Sequence, residues 1–182
     1  MSGIDKLNPI PLHDRIVQVT SSNDGKYIAA ILAENLNTIK IFYSGTRALI
    51  ASVALPGTIT NTSVCMGWSQ PADGAVACLL VASGAGHLLS CAAPDFNFNS
   101  IPVTAKLASR EFQKLAVSKS GHFAAVATGN EVLALTRTGG SFETSGRPVS
   151  FVTHAPDTVL SLDVHPTGCA VALASVMRSS VL

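Results

Sequence analysis

"LAVSKSGHFAAVAT", residues 115–128, sets an apolar run against a polar turn ending in glycine, then begins a second apolar run. The same grammar occurs in "VQVTSSNDGKYIAAILA" (17–33), "MGWSQPADGAVACLLVA" (66–82) and "LDVHPTGCAVALAS" (162–175). The turns are Ser22-Asn23-Asp24-Gly25, Pro71-Ala72-Asp73-Gly74, Lys119-Ser120-Gly121 and Pro166-Thr167-Gly168. Their glycines, Gly25, Gly74, Gly121 and Gly168, lie 49, 47 and 47 residues apart. Glycine suits the end of such a turn because a positive φ there is costly for other residues. Asp and Asn suit the middle because they hydrogen-bond their own backbone. A fixed period of this length is the signature of a repeat architecture.

Each unit predicts two hairpin strands followed by a third and a fourth. Thr38–Tyr43 (TIKIFY) alternates, with Ile39 and Ile41 on one side. Glu131–Arg137 (EVLALTR) alternates in the same way, and His87–Cys91 (HLLSC) is the weaker equivalent. Fourth strands are expected at Ala48–Leu55, near Pro102–Leu107 and at Pro148–Val152. Pro, Gly, Ser, Thr and Asn punctuate the chain too often for long helices, which fits many short strands. The expectation is an all-β chain with four strands per repeat, and that combination points to a β-propeller. The boundaries read as an N-terminal segment at 1–14, then blades at 15–55, 63–107, 112–152 and 159–182.

"VLSLDVHPTGCAVALAS" (159–175) resembles the first two blade strands of the WD-repeat β-propeller family. His154 stands where that family places the histidine of its Gly-His pair, although Thr153 precedes it here. "TIKIFY" resembles the strand that ends in Trp-Asp, with Phe42 and Tyr43 at those two positions. The resemblance spans 15–182. It implies a rigid non-enzymatic platform that binds other proteins as a subunit of a larger complex. No Trp-Asp dipeptide occurs, and the single tryptophan, Trp68, ends a first strand instead. About three and a half blades are present, so an array of this length is expected to be a partial propeller. Three explanations fit such an array: a piece of a longer protein, which an end in mid-blade favours, closure with another chain or segment, or an irregular closure of the four units.

Composition narrows the function classes. The chain has 182 residues, 47% hydrophobic and only 13% charged, with a net charge of +1. Disorder needs the opposite balance. A near-neutral chain has no electrostatic pull toward nucleic acid or anionic membrane, so direct binding to either is not expected. Residues 74–94, "GAVACLLVASGAGHLLSCAAP", carry no Asp, Glu, Lys or Arg and approach the length of a membrane span. Gly84, Gly86 and His87 interrupt that stretch, so two buried strands around a turn are the better reading. No secretion signal is visible in the first thirty residues. Cys65, Cys78, Cys91 and Cys169 show no CxxC pair. They read as reduced, buried thiols on strands of a cytoplasmic or nuclear protein.

No residue pattern declares a catalytic, cofactor or metal site. The histidines His13, His87, His122, His154 and His165 form no i,i+2 or i,i+4 pair. His154, Asp157 and Ser161 lie too close in sequence for a triad, and turn hydrogen bonds explain them better. Asn61-Thr62-Ser63 matches a glycosylation sequon by pattern alone. Lys106, Arg110, Lys114 and Lys119, interrupted by Glu111, read as a solvated face. The candidate partner contacts are two loops, "PDFNFNSIP" (94–102) with Phe96 and Phe98, and "TGGSFETSGRP" (138–148) with Phe142 and Arg147. Two other classes remain open: a lactonase- or hydrolase-type enzyme propeller, and a propeller subunit of an RNA-processing or RNA-modifying complex.

Overall fold

The computed structural model describes residues 14–56, 64–103, 107, 111–129, 131–150 and 158–176. The predicted N-terminal segment before Asp14, the sequon, Lys106, Arg110, His154, Asp157 and the final "SSVL" lie outside these residues. Among the described residues fourteen strands are formed and there is no helix. Strands β1 (Ile16–Ser21), β2 (Tyr27–Leu32), β3 (Asn35–Tyr43) and β4 (Leu49–Ala54) make the first antiparallel sheet in sequence order. Strands β5 (Val64–Ser69), β6 (Cys78–Ser83), β7 (Leu88–Ala92) and β8 (Phe98–Ser100) make the second. Strands β9 (Phe112–Val117), β10 (Phe123–Thr128), β11 (Glu131–Thr138) and β12 (Ser141–Ser150) make the third. A two-stranded sheet of β13 (Thr158–Val164) and β14 (Val171–Val176) follows.

The first strands of the four sheets line up side by side. β1 packs on β5, β5 on β9, and β9 on β13, and no comparable packing joins β13 back to β1 among the described residues. Gly67 shows how tight this line is. A Cβ there would lie 2.8 Å from Val117 Cγ2 on the next first strand.

Period-2 alternation becomes blade-on-blade packing. Leu79 and Val81 of β6 join Ala29, Ile31, Ile39 and Ile41 of the first sheet in one core. Cys78, Leu80 and Ala82, the alternate residues, join Ala124, Val126, Leu133 and Leu135 of the third sheet in another. The second blade is covered on both faces, so β6 is buried along its whole length. That explains the uncharged run at 74–94. Its apolar residues meet neighbouring blades, and no helix among the described residues is long and apolar enough to cross a membrane.

Two strand expectations need correction. The fourth strand of the second blade is formed by Phe98–Ser100, ahead of the expected Pro102–Leu107, of which 104–106 lie outside the described residues. Ile101 N donates to Leu88 O at 2.8 Å, and Ile101 is buried in the core between the second and third blades. The segment 138–148 is not a loop. It is a tight turn at Gly139 and Gly140 (φ 57° and 94°) leading straight into β12. The period-2 pattern was hidden there because β12 is a polar outer strand, with only Phe142 turned inward to the core.

Candidate interaction surface

The β1–β2, β9–β10 and β13–β14 turns repeat one geometry. Gly25 N donates to Ser22 O at 2.9 Å, Gly121 N to Ser118 O at 2.9 Å, and Gly168 N to His165 O at 2.8 Å. Gly25, Gly74, Gly121 and Gly168 have φ of 71°, 84°, 76° and 72°. The residue opening the turn also closes it with its side chain. Ser22 Oγ accepts from Tyr27 N at 2.9 Å, and Ser118 Oγ accepts from Phe123 N at 3.1 Å.

Successive turns are fastened together along one rim. Asp24 N donates to Gln70 Oε1 at 3.2 Å. Ser69 Oγ donates to Gly121 O at 2.6 Å, and Ser120 Oγ donates to Pro166 O at 2.5 Å. Arg137 adds a fork across the second seam, its Nη1 donating to Ser69 Oγ at 2.9 Å and its Nη2 to Val76 O at 2.6 Å. The β3–β4 turn lies at the same end, since Ser44 N donates to Lys26 O at 2.8 Å. That turn has a counterpart in the second blade. Arg47 and Phe96, 49 residues apart, are the non-glycine residues with positive φ (61° and 50°) among those described. Each donates its N–H four residues back, to Tyr43 O and Ala92 O.

Hydrogen bonds cross-link the rim, and its exposed side chains are varied and mixed in charge: Asp24, Lys26, Asp73, Lys119, His122 and His165. Burial acts to push the Asp24 carboxyl up, yet hydrogen bonds from Gln70, Ser22 and Lys26 outweigh it and hold the group well below the ordinary carboxylate value. Among the described residues, no three His, Cys, Asp or Glu side chains gather as a metal site would require. Along the flank, a groove of about 430 Å³ runs between the second and third blades, lined by Ser90, Asn99, Pro102 and Glu143 among others.

The predicted contact residues separate on inspection. Phe96 and Phe142 are buried, at 3% and 2% exposure, and belong to the two cores. They cannot present their rings to a partner. The Phe96 ring packs edge-on against Tyr27 at 5.3 Å, and the cis Ala93-Pro94 bond lies in the same turn. Phe98 is half-buried at the start of β8 and packs against the first core. Arg147 is exposed on β12. Phe42 is buried on the first blade opposite Ile28. The hydrogen-bonded rim was missed by sequence reasoning. The turn residues Asp24, Ser120, Gly121 and Pro166 were visible in the sequence, but not the bonds that join one turn to the next.

The thiols also divide. Cys65, Cys78 and Cys91 lie on β5, β6 and β7, and burial pushes the Cys78 and Cys91 thiols up to about 11 and about 12. Cys65, half-buried, and Cys169 depart from the expectation of four buried thiols, and Cys169 departs furthest. It is exposed in the β13–β14 turn, where the polar turn grammar takes over from the strand pattern.

No protein-family model matches the chain, and no curated protein matches it. Solved structures do. The Cps50 (Swd1) β-propeller domain of Myceliophteria thermophila is similar with a TM-score of 0.59 at 16% identity, over 90% of this chain and 51% of that one. A chain of a mitotic checkpoint complex gives 0.61 at 15%, over 88% of this chain and 47% of that one. A chain of hydrazine synthase from Kuenenia stuttgartiensis gives 0.63 at 15%, over 90% and 42%. At such identities the likeness shows the fold alone, and that fold recurs in complexes and in an enzyme. The chain spans about half the length of these neighbours. It has a β-propeller fold, with three four-stranded blades followed by a two-stranded hairpin among the described residues.

Proposed function

We propose that this chain is a non-enzymatic protein-interaction scaffold, a propeller platform within a larger assembly. The observation that carries the reading is the cross-linked rim. Hydrogen bonds join each hairpin turn to the next, so exposed side chains of mixed chemistry are held on a stiff support. A preordered surface loses little entropy on binding. Two of the neighbouring folds were determined in protein complexes, one a mitotic checkpoint complex and the other a complex of KlAtg21 with the coiled coil of AgAtg16. Reduced strand thiols suit the cytoplasm or nucleus.

We further infer that the first blade receives another blade, from a second chain or segment that completes the propeller. Val19 pairs with Ala30 on the face opposite the first core and is 55% exposed. The same blade exposes Ile16, Val17, Leu49 and Ile50. Light scattering on residues 1–182 tests this. Association that Val19→Glu weakens supports it, and a monodisperse monomer that unfolds cooperatively overturns it. Pull-downs with wild-type chain and with a Lys119→Glu, His122→Glu rim variant test the scaffold reading. Proteins retained by the first and lost by the second support it, and identical retention by both counts against the rim.

A further inference from the structure

The first strands of the blades are joined by a relay of side chains. Gln18 of β1, Cys65 of β5 and Gln113 of β9 occupy one repeat position, 47 and 48 residues apart. Each bonds to the backbone of the next first strand. Gln18, with its side-chain amide turned to suit both partners, donates to Val64 O and accepts from Met66 N at 3.2 Å. Cys65 Sγ donates to Gln113 O at 3.1 Å, and Gln113 Oε1 accepts from Val159 N at 3.4 Å. The fourth member of the series is Leu160 of β13, a further 47 residues on. A leucine side chain cannot make such a bond, and this one is 54% exposed.

The other end of the array is open in a matching way. Gln18 meets Val64 and Met66, and their counterparts on β1, 47 residues earlier, are Val17 and Val19. Met66 is buried in the core shared with the first blade, at 7% exposure. Phe112, the counterpart of Val64 on β9, is buried in the core shared with the second blade. Val17 and Val19 have no preceding blade among the described residues, and they are 45% and 55% exposed. A β13 laid beside β1 as β1 lies beside β5 would set Leu160 against these two valines. Apolar side chains would then leave water together, where the internal seams use a polar side chain on a backbone group.

We propose that the occupant of the first blade is a second copy of this chain, with Leu160 of one copy against Val17 and Val19 of the other. This rests on the reading that the first blade receives another blade, and it names that blade. The number of copies follows from the fraction of a ring that one chain supplies. In the likeness to the Cps50 (Swd1) β-propeller domain, 90% of this chain covers 51% of that domain. One copy therefore supplies about half a ring. Two copies related by a two-fold axis close it, each offering β13 to the other's β1 through two identical seams.

Light scattering on the full chain should give twice its 18.8 kDa. Val19→Glu and Leu160→Glu each put a charge into both seams, so each variant should have half that mass, with circular dichroism checking the fold. A cross-link fixes the pairing. Val19→Cys and Leu160→Cys chains, both in a Cys169→Ser background, are mixed, treated with a short bismaleimide and mapped by peptide mass. A link between Val19→Cys of one chain and Leu160→Cys of another is expected. A dimer that Val19→Glu splits and Leu160→Glu leaves intact, or links only between two Val19→Cys chains, would overturn the second-copy proposal and leave the first-blade reading standing. A monodisperse monomer overturns both. A mass that keeps growing with concentration overturns the closed pair. If a glutamate variant does not fold, the cross-link decides, and absence of the expected link overturns the proposal.

Discussion

Trp68 of the second blade lies stacked on Tyr27 of the first, with ring centroids 5.8 Å apart and planes 20° apart. Trp68 Nε1 also donates to Thr20 O on the first blade at 3.4 Å. Phe96 meets both rings edge-on, so three aromatic residues close one seam. The single tryptophan is therefore an inter-blade staple. Trp68→Ala should destabilise the chain by about 3–5 kcal/mol. A double-mutant cycle with Tyr27→Ala should show coupling of about 0.5–1.5 kcal/mol. Equilibrium denaturation followed by far-ultraviolet circular dichroism measures both, and a coupling near zero would mean that the two rings do not share the seam.

The turn glycines should differ in their tolerance of a side chain. Gly74 has φ of 84° and open space around it, so Gly74→Ala costs only the backbone strain, about 1 kcal/mol. Gly121 has φ of 76°, and a Cβ there would lie 2.7 Å from backbone atoms of Gln70 and Pro71. Backbone gives way less readily than side chains, so Gly121→Ala should cost about 3 kcal/mol. Thermal melts of the two variants should rank in that order. Equal melting temperatures would mean that the third turn does not press on the second blade.

Arg137 holds the second seam with a planar fork aimed at Ser69 and at Val76 O. Arg137→Lys keeps the charge but cannot span both partners. Loss of one charge-assisted bond predicts a destabilisation of about 1.5–3 kcal/mol. Urea midpoints of wild type and Arg137→Lys provide the measurement, and coincident midpoints would exclude a role for the fork.

Asp24 links the first two turns and should give the fold an acid-sensitive rim. Its folded-state pKa is depressed below its ordinary value of 3.8. A depressed carboxylate contributes stability above its unfolded pKa and loses it as pH falls toward the folded value. The stability gap between wild type and Asp24→Asn should therefore be full at neutral pH and shrink below about pH 4. Denaturation at pH 7 and at pH 3 checks the sign, and a gap that widens in acid would contradict it.

The sequence alone determined the repeat. The glycines at Gly25, Gly74, Gly121 and Gly168 mark it because a turn of this kind demands a positive φ whatever surrounds it. The hairpins followed from alternation, and so did β3 and β11, because half-buried strands write period 2 into their residues. Their assembly into a propeller-like array followed from the period and the strand number. The sequence did not reveal which polar residues would meet. Ser69 and Gly121, Ser120 and Pro166, and Asp24 and Gln70 are each about one repeat apart, and only the stacking of blades brings them together. Nor did it separate aromatic contacts from aromatic core. Phe96 and Phe142 sit in stretches of turn-like composition, yet the neighbouring blade supplies the apolar wall that buries each ring.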